Sequence, residues 1–93
     1  MKVIMYWMRD CHFCDKLKLE IKNLPSEYKK PIMIEYANIP MVQKAKHGIR
    51  LYPSIVFLSD DNKVLEKIEG YKPINEIVNI YAKVDNLENI LQV

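Results

Sequence analysis

The sequence predicts an α/β protein: a four-stranded mixed sheet with helices on both faces, in the order β-α-β-α-β-β-α. Three observations lead there. Short apolar runs rich in β-formers alternate with stretches whose apolar residues recur every three or four positions. The third and fourth apolar runs are separated by only a turn, so they form an antiparallel hairpin. The chain closes on a long amphipathic stretch after Gly70.

Val3 to Met8 form a continuous apolar run, the pattern of a strand buried on both faces in the centre of a sheet. After Asp10, Phe13, Leu17, Ile21 and Leu24 recur in steps of four, four and three, and so line one helical face. Asp10 is the expected N-cap and Pro25 ends that helix. Ile32 to Tyr36 read as a second strand. Pro40 suits the first turn of a short helix carrying Val42 and Ala45, which Gly48 ends. Ser54 to Leu58 are the third strand. Ser59-Asp60-Asp61-Asn62 is a turn, and Val64 to Ile68 are the fourth strand. In the last helix Ile74, Ile77, Tyr81, Val84, Leu87 and Leu91 fall on one stripe. The first β-α-β is expected to be a right-handed crossover that sets strands one and two side by side and parallel.

With 93 residues, one domain spanning residues 1–93 is expected, a monomer with one core. Composition is that of a globular protein, 49% hydrophobic and 28% charged, which excludes a disordered or collagen-like chain. The net charge of +2 is spread over interleaved acids and bases, with no block of the kind that binds nucleic acid. The apolar start is too short to cross a bilayer and no cleavage site follows it, so neither a membrane nor a targeting role is read from it. A cytoplasmic protein is expected. In a reducing compartment, two cysteines are more often catalytic or metal-binding than structural.

Cys11-His12-Phe13-Cys14 is a C-x-x-C at a helix start. Two residues on a helical turn bring both sulfurs close enough for a small disulfide ring. Unpaired N–H groups and the partial positive charge of the helix N-terminus favour a thiolate on Cys11, the candidate nucleophile. Cys14, one turn in, is the more buried, resolving thiol. Attack by Cys11 on a disulfide, a mixed disulfide and attack by Cys14 complete an exchange. His12, as imidazolium, would further stabilise the Cys11 thiolate; a solvated surface histidine is the plain alternative. A zinc site needs two more ligands, and His12 and His47 are the only soft ones left. His12 is awkwardly placed beside Cys11, so no metal is expected.

These residues, Trp7-x-x-x-Cys11-x-x-Cys14, resemble the active-site strand and turn of the thioredoxin family. A second match lies downstream. Lys46-His47-Gly48-Ile49-Arg50-Leu51-Tyr52-Pro53-Ser54-Ile55-Val56-Phe57-Leu58 is similar to the thioredoxin segment around its cis-proline, and Gly70 before an amphipathic helix is similar to the family's ending. The resemblance implies a thioredoxin-like fold and a thiol–disulfide oxidoreductase that exchanges electrons with protein disulfides, recharged by a reductant the sequence does not identify. It implies that Pro53 is cis and faces the sulfurs, and that the Tyr52 backbone pairs with an extended substrate peptide. Without it, Pro53 reads as an ordinary trans proline opening a strand. Trp7, Phe13, Tyr52 and Pro53 are thus the candidate substrate-binding residues. No cofactor beyond the redox-active disulfide is expected.

Three departures stand out. The extra strand and helix that open most thioredoxins are missing, which makes the chain similar to a glutaredoxin. His12-Phe13 is neither Gly-Pro nor Pro-Tyr. The acid that thioredoxins bury six residues before the first cysteine is here Met5, which leaves Glu35 or water for its role. Glutathione is the alternative electron partner. The Gly-Gly or Gly-Cys-Asp pattern typical of glutaredoxins is missing near Gly70-Tyr71, yet Lys72, Arg9 and Tyr52 could bind glutathione or serve as ordinary surface groups. A peptide- or metal-binding module without turnover is the other alternative.

Overall fold

The computed structural model describes residues 1–91, with side-chain surroundings described through residue 88. Element order follows the sequence: β1 (Lys2–Trp7), α1 (His12–Lys22), β2 (Ile32–Glu35), a 3₁₀ turn (Tyr36–Asn38), α2 (Met41–His47), β3 (Ser54–Leu58), β4 (Val64–Glu69) and α3 (Ile74–Leu91). The strands form one sheet in the order β2-β1-β3-β4. β1 pairs in parallel with β2, with Met5 opposite Met33 and Trp7 opposite Glu35. Its other edge pairs antiparallel with β3, with Met5 opposite Ile55.

A central strand meets protein on both faces, which is why β1 and β3 are apolar without alternation. Val3, Met5, Ile55, Phe57 and Ile68 pack under α1 and α3 against Leu17, Ile21, Ile77, Tyr81 and Val84. Ile4, Tyr6, Val56 and Leu58 form a second core on the opposite face with Ile49. Phe57 has no exposed surface, so Phe57→Ala would cost about 3–5 kcal/mol. The hairpin between β3 and β4 closes through Ser59 N–H to the Lys63 carbonyl (2.9 Å), with Asn62 in the left-handed region at φ 66°.

The structure corrects four local expectations. The N-cap of α1 is Cys11, not Asp10: its sulfur accepts the Cys14 N–H at 3.2 Å, while Asp10 sits one residue earlier at φ 57°. Phe13 is exposed, and the buried stripe of α1 is Cys14, Leu17 and Ile21. In α2, Val42 and Ala45 are exposed, and the residue turned inward is His47. In α3, Leu87 is half exposed and Glu88 is buried, because its carboxylate lies 3.5 Å from the Met1 amino group. The side chain of Leu91 lies outside the described residues. No helix among the described residues is long and apolar enough to cross a membrane.

Candidate active site

β1 runs out at Trp7, and Met8 to Asp10 carry the chain to the start of α1. Cys11 is extended (φ −108°, ψ 105°), the usual backbone of an N-cap residue, so its sulfur turns back over the first helical turn. There it accepts from the Cys14 N–H, one of the donors a helix start leaves unpaired. Cys14 has no exposed surface, whereas Cys11 is partly exposed. The two sulfurs are in bonding contact, with Cα atoms 5.2 Å apart.

The loop before β3 lies against this pair. Gly48 ends α2 in the left-handed region (φ 63°), where a side chain is rarely accepted, and also donates its N–H to Ala45. The chain then reaches Tyr52 and Pro53, joined by a cis peptide bond. The Tyr52 carbonyl oxygen lies 3.9 Å from the Cys11 sulfur, and Pro53 is fully buried. The Pro53 carbonyl accepts from Gly70 N–H at 2.8 Å, and the Ser54 hydroxyl donates to the Leu51 carbonyl at 2.5 Å. A third tie comes from β4. Lys67 donates its ammonium to the Gly48 carbonyl (2.9 Å) and pairs with Glu69 (3.1 Å), which in turn accepts from Arg50 (3.1 Å). Arg50 and Lys67 hold the Glu69 carboxyl below its usual range.

The other sequence-derived candidates divide. Trp7, half-buried at the end of β1, carries the Lys18 ammonium 2.9 Å from its ring centroid. His12 is exposed and packs edge-on against Phe13 at 5.4 Å between centroids. Phe13 reaches Tyr71, 5.5 Å away, whose hydroxyl donates to Glu20 Oε1 at 2.6 Å. Glu35 is engaged by Arg9 at 2.5 Å, and Met5 is fully buried with no acid in its place. His47 is also buried and bonded, its Nδ1 2.7 Å from the Tyr6 hydroxyl. No group of three or more metal-type ligands comes together among the described residues.

Two features escaped the sequence reading. Exposed Met8 and Leu51 stand with Phe13 as large apolar side chains on the segments that carry the cysteines and Pro53. The Arg50–Glu69–Lys67 clamp joins residues far apart in sequence, so only Arg50, within the downstream motif, gave any signal.

The model of the thioredoxin-like domain matches residues 2–85, and the chain belongs to that family. Thioredoxin 1 from the thermophilic eubacterium Thermosipho africanus is similar in structure, with a TM-score of 0.73 at 17% identity over 96% of this chain and 99% of that one. Reduced Schistosoma mansoni thioredoxin superposes with a TM-score of 0.70 at 15% identity, over 88% of this chain and 76% of that one. Germline-specific Deadhead from Drosophila melanogaster gives 0.69 at 21% identity, over 87% and 77%. No curated protein matches the sequence. A thioredoxin-like fold with a C-x-x-C pair in bonding contact supports a thiol–disulfide oxidoreductase in general.

Proposed function

We propose that the protein is a protein thiol–disulfide oxidoreductase, acting as one thioredoxin-like domain over residues 1–93. In the reducing direction the Cys11 thiolate attacks one sulfur of a substrate disulfide. The other substrate sulfur leaves as a thiolate and takes up a proton. Cys14, losing its proton, then attacks the Cys11 sulfur, releasing the second substrate thiol and leaving the Cys11–Cys14 disulfide. Two electrons pass to the substrate, and a disulfide reductase returns them. The thioredoxin f2 relative has been seen in complex with such an enzyme, a ferredoxin:thioredoxin reductase.

The observation that carries this reading is the 3.9 Å approach of the Tyr52 carbonyl to the Cys11 sulfur. A backbone acceptor beside the more exposed sulfur suits an extended peptide whose own backbone pairs there while its disulfide meets Cys11. Trp7 and Phe13 supply apolar surface on either side of the cysteines, and Pro53 backs the sulfurs. His12 acts through its charge when protonated, favouring the Cys11 thiolate. Protein substrates are preferred to glutathione because Arg9, one of three side chains available for glutathione, is committed to Glu35. The reading takes the protein to be a cytoplasmic monomer that needs no metal, nucleic acid or membrane.

The test is trapping. Cys14→Ser should accumulate a mixed disulfide through Cys11 with a protein substrate such as insulin, and Cys11→Ser should abolish exchange. Near-full insulin reduction by Cys11→Ser would overturn the assignment. His12→Gln, which removes the imidazole beside the thiols, should slow exchange by raising the Cys11 thiol pKa, and an unchanged Cys11 thiolate titration would overturn that role.

A further inference from the structure

A cavity lined by neither cysteine lies on the α1 face of the sheet. It has a volume of about 440 Å³ and opens to solvent, within the range of small-molecule sites. Its apolar floor comes from Trp7 and Met33, on adjacent strands, and from Pro31 before β2. Its charged lining is of one sign: Lys18, Lys22 and Lys30. Lys18 and Lys22 are four residues apart on α1 and so share one face of it. Among the described residues none of the three lies within 4 Å of a carboxylate. The nearest strand carboxylate, Glu35, is already paired with Arg9. The lining residues carry three positive charges and no negative one, and an anion bound there is attracted by all three.

We propose that this cavity binds an organic polyanion with a flat apolar body, such as a phosphorylated nucleoside. The phosphates would lie among the three lysines and the ring on Met33 and Pro31. One face of Trp7 is covered by Lys18, so the ring meets the edge of the indole rather than stacking on that face. The cysteine sulfurs take no part, and Trp7 is the one residue shared with the surface proposed for a disulfide substrate.

Trp7 is the only tryptophan of the chain, so its fluorescence reports on the cavity directly. An anion that neutralises the Lys18 ammonium where it lies on the indole should change that emission. The experiment titrates adenosine diphosphate into the Cys11→Ser/Cys14→Ser protein, which removes any redox contribution to the signal. The result expected is a saturable change, with adenosine alone and pyrophosphate alone each binding at least about tenfold more weakly than the diphosphate. Lys22→Glu and, separately, Lys30→Glu should each weaken binding by about tenfold or more. Lys83→Glu makes the same charge change on α3 and should leave binding unaltered. Absence of saturation, or equal weakening by Lys83→Glu, would overturn the site. Pyrophosphate binding as tightly as the diphosphate would overturn the place given to the ring.

Discussion

Cys11 and Tyr52, 41 residues apart in sequence, meet at 3.9 Å between sulfur and carbonyl oxygen. Neither residue is held there by its neighbours in the chain alone. Cys11 is fixed by the start of α1. Tyr52 depends on a loop that three long-range ties fasten: Gly70 N–H to the Pro53 carbonyl, Lys67 to the Gly48 carbonyl, and Arg50 to Glu69. The surface proposed for a substrate is therefore a tertiary property, and changes in the ties should appear in substrate binding.

Glu69 is the shared partner of Arg50 and Lys67. Its folded-state pKa is depressed, first by the Arg50 hydrogen bond and then by that of Lys67, from an ordinary value of 4.5. For a depressed carboxyl, the clamp is complete above that value and is lost as pH falls through the lower, folded-state one. KM for a peptide disulfide should therefore rise on acidification through that window, with kcat much less affected. Glu69→Gln should raise KM at neutral pH by roughly twofold to fivefold, as expected of an exposed ion-pair network, and flatten the acid limb. Steady-state kinetics against pH tests this, and identical profiles for the two proteins would contradict it.

Buried Tyr6 and His47, with half-buried Gln43, tie α2 to β1 on the opposite face. Gln43 donates to the Tyr6 hydroxyl at 2.5 Å, so that hydroxyl donates onward to His47 Nδ1, which must then be unprotonated. Burial, with the Lys46 charge adding to it, pushes the imidazole below its ordinary value of 6.5. For a histidine depressed in the fold, stability is full above 6.5 and falls as pH drops toward the folded value, below which it levels off. Denaturant melts over this range should show that slope in the native protein. His47→Gln, which keeps an acceptor for Tyr6, should remove it, whereas Tyr6→Phe should cost about 1–3 kcal/mol at neutral pH.

Met5 sits fully buried between Met33 on β2 and Ile55 on β3. Placing an acid there restores the residue type that thioredoxins bury at this position. Met5→Asp should destabilise the fold by at least about 3 kcal/mol, because a buried thioether is exchanged for a desolvated carboxyl. If a buried acid assists the resolving thiol, the variant should also resolve mixed disulfides faster. Denaturant melts and single-turnover kinetics separate the two effects, and unchanged stability would contradict the packing described here.

Much of this was legible in the sequence. A proline, an unbroken apolar run and a polar turn mark β3 locally at its observed bounds, Ser54–Leu58. The C-x-x-C at a helix start is marked locally as well, whereas Tyr52-Pro53 stands out only through the resemblance of the segment around it, since by itself Pro53 reads as a trans proline opening a strand. What escaped was decided by partners distant in the chain. Leu87 and Glu88 exchange places on α3 because the Met1 amino group reaches Glu88. His47 rather than Val42 turns inward because Tyr6 awaits it. Phe13 fits the apolar spacing of α1 as well as Cys14 does, and spacing alone could not tell which of them the sheet would cover. Asp10 was the conventional cap, but a cysteine sulfur fills the role when the following turn brings the Cys14 N–H to it.

In the proposed mechanism Cys11 is the attacking thiol and Cys14 the protected one. Its most direct test is the rate of alkylation of each cysteine in the fully reduced protein, mapped by peptide mass spectrometry at neutral pH. Cys11, partly exposed at the helix start, should react roughly a hundredfold faster than Cys14, which has no exposed surface. Equal rates, or a faster Cys14, would contradict the account.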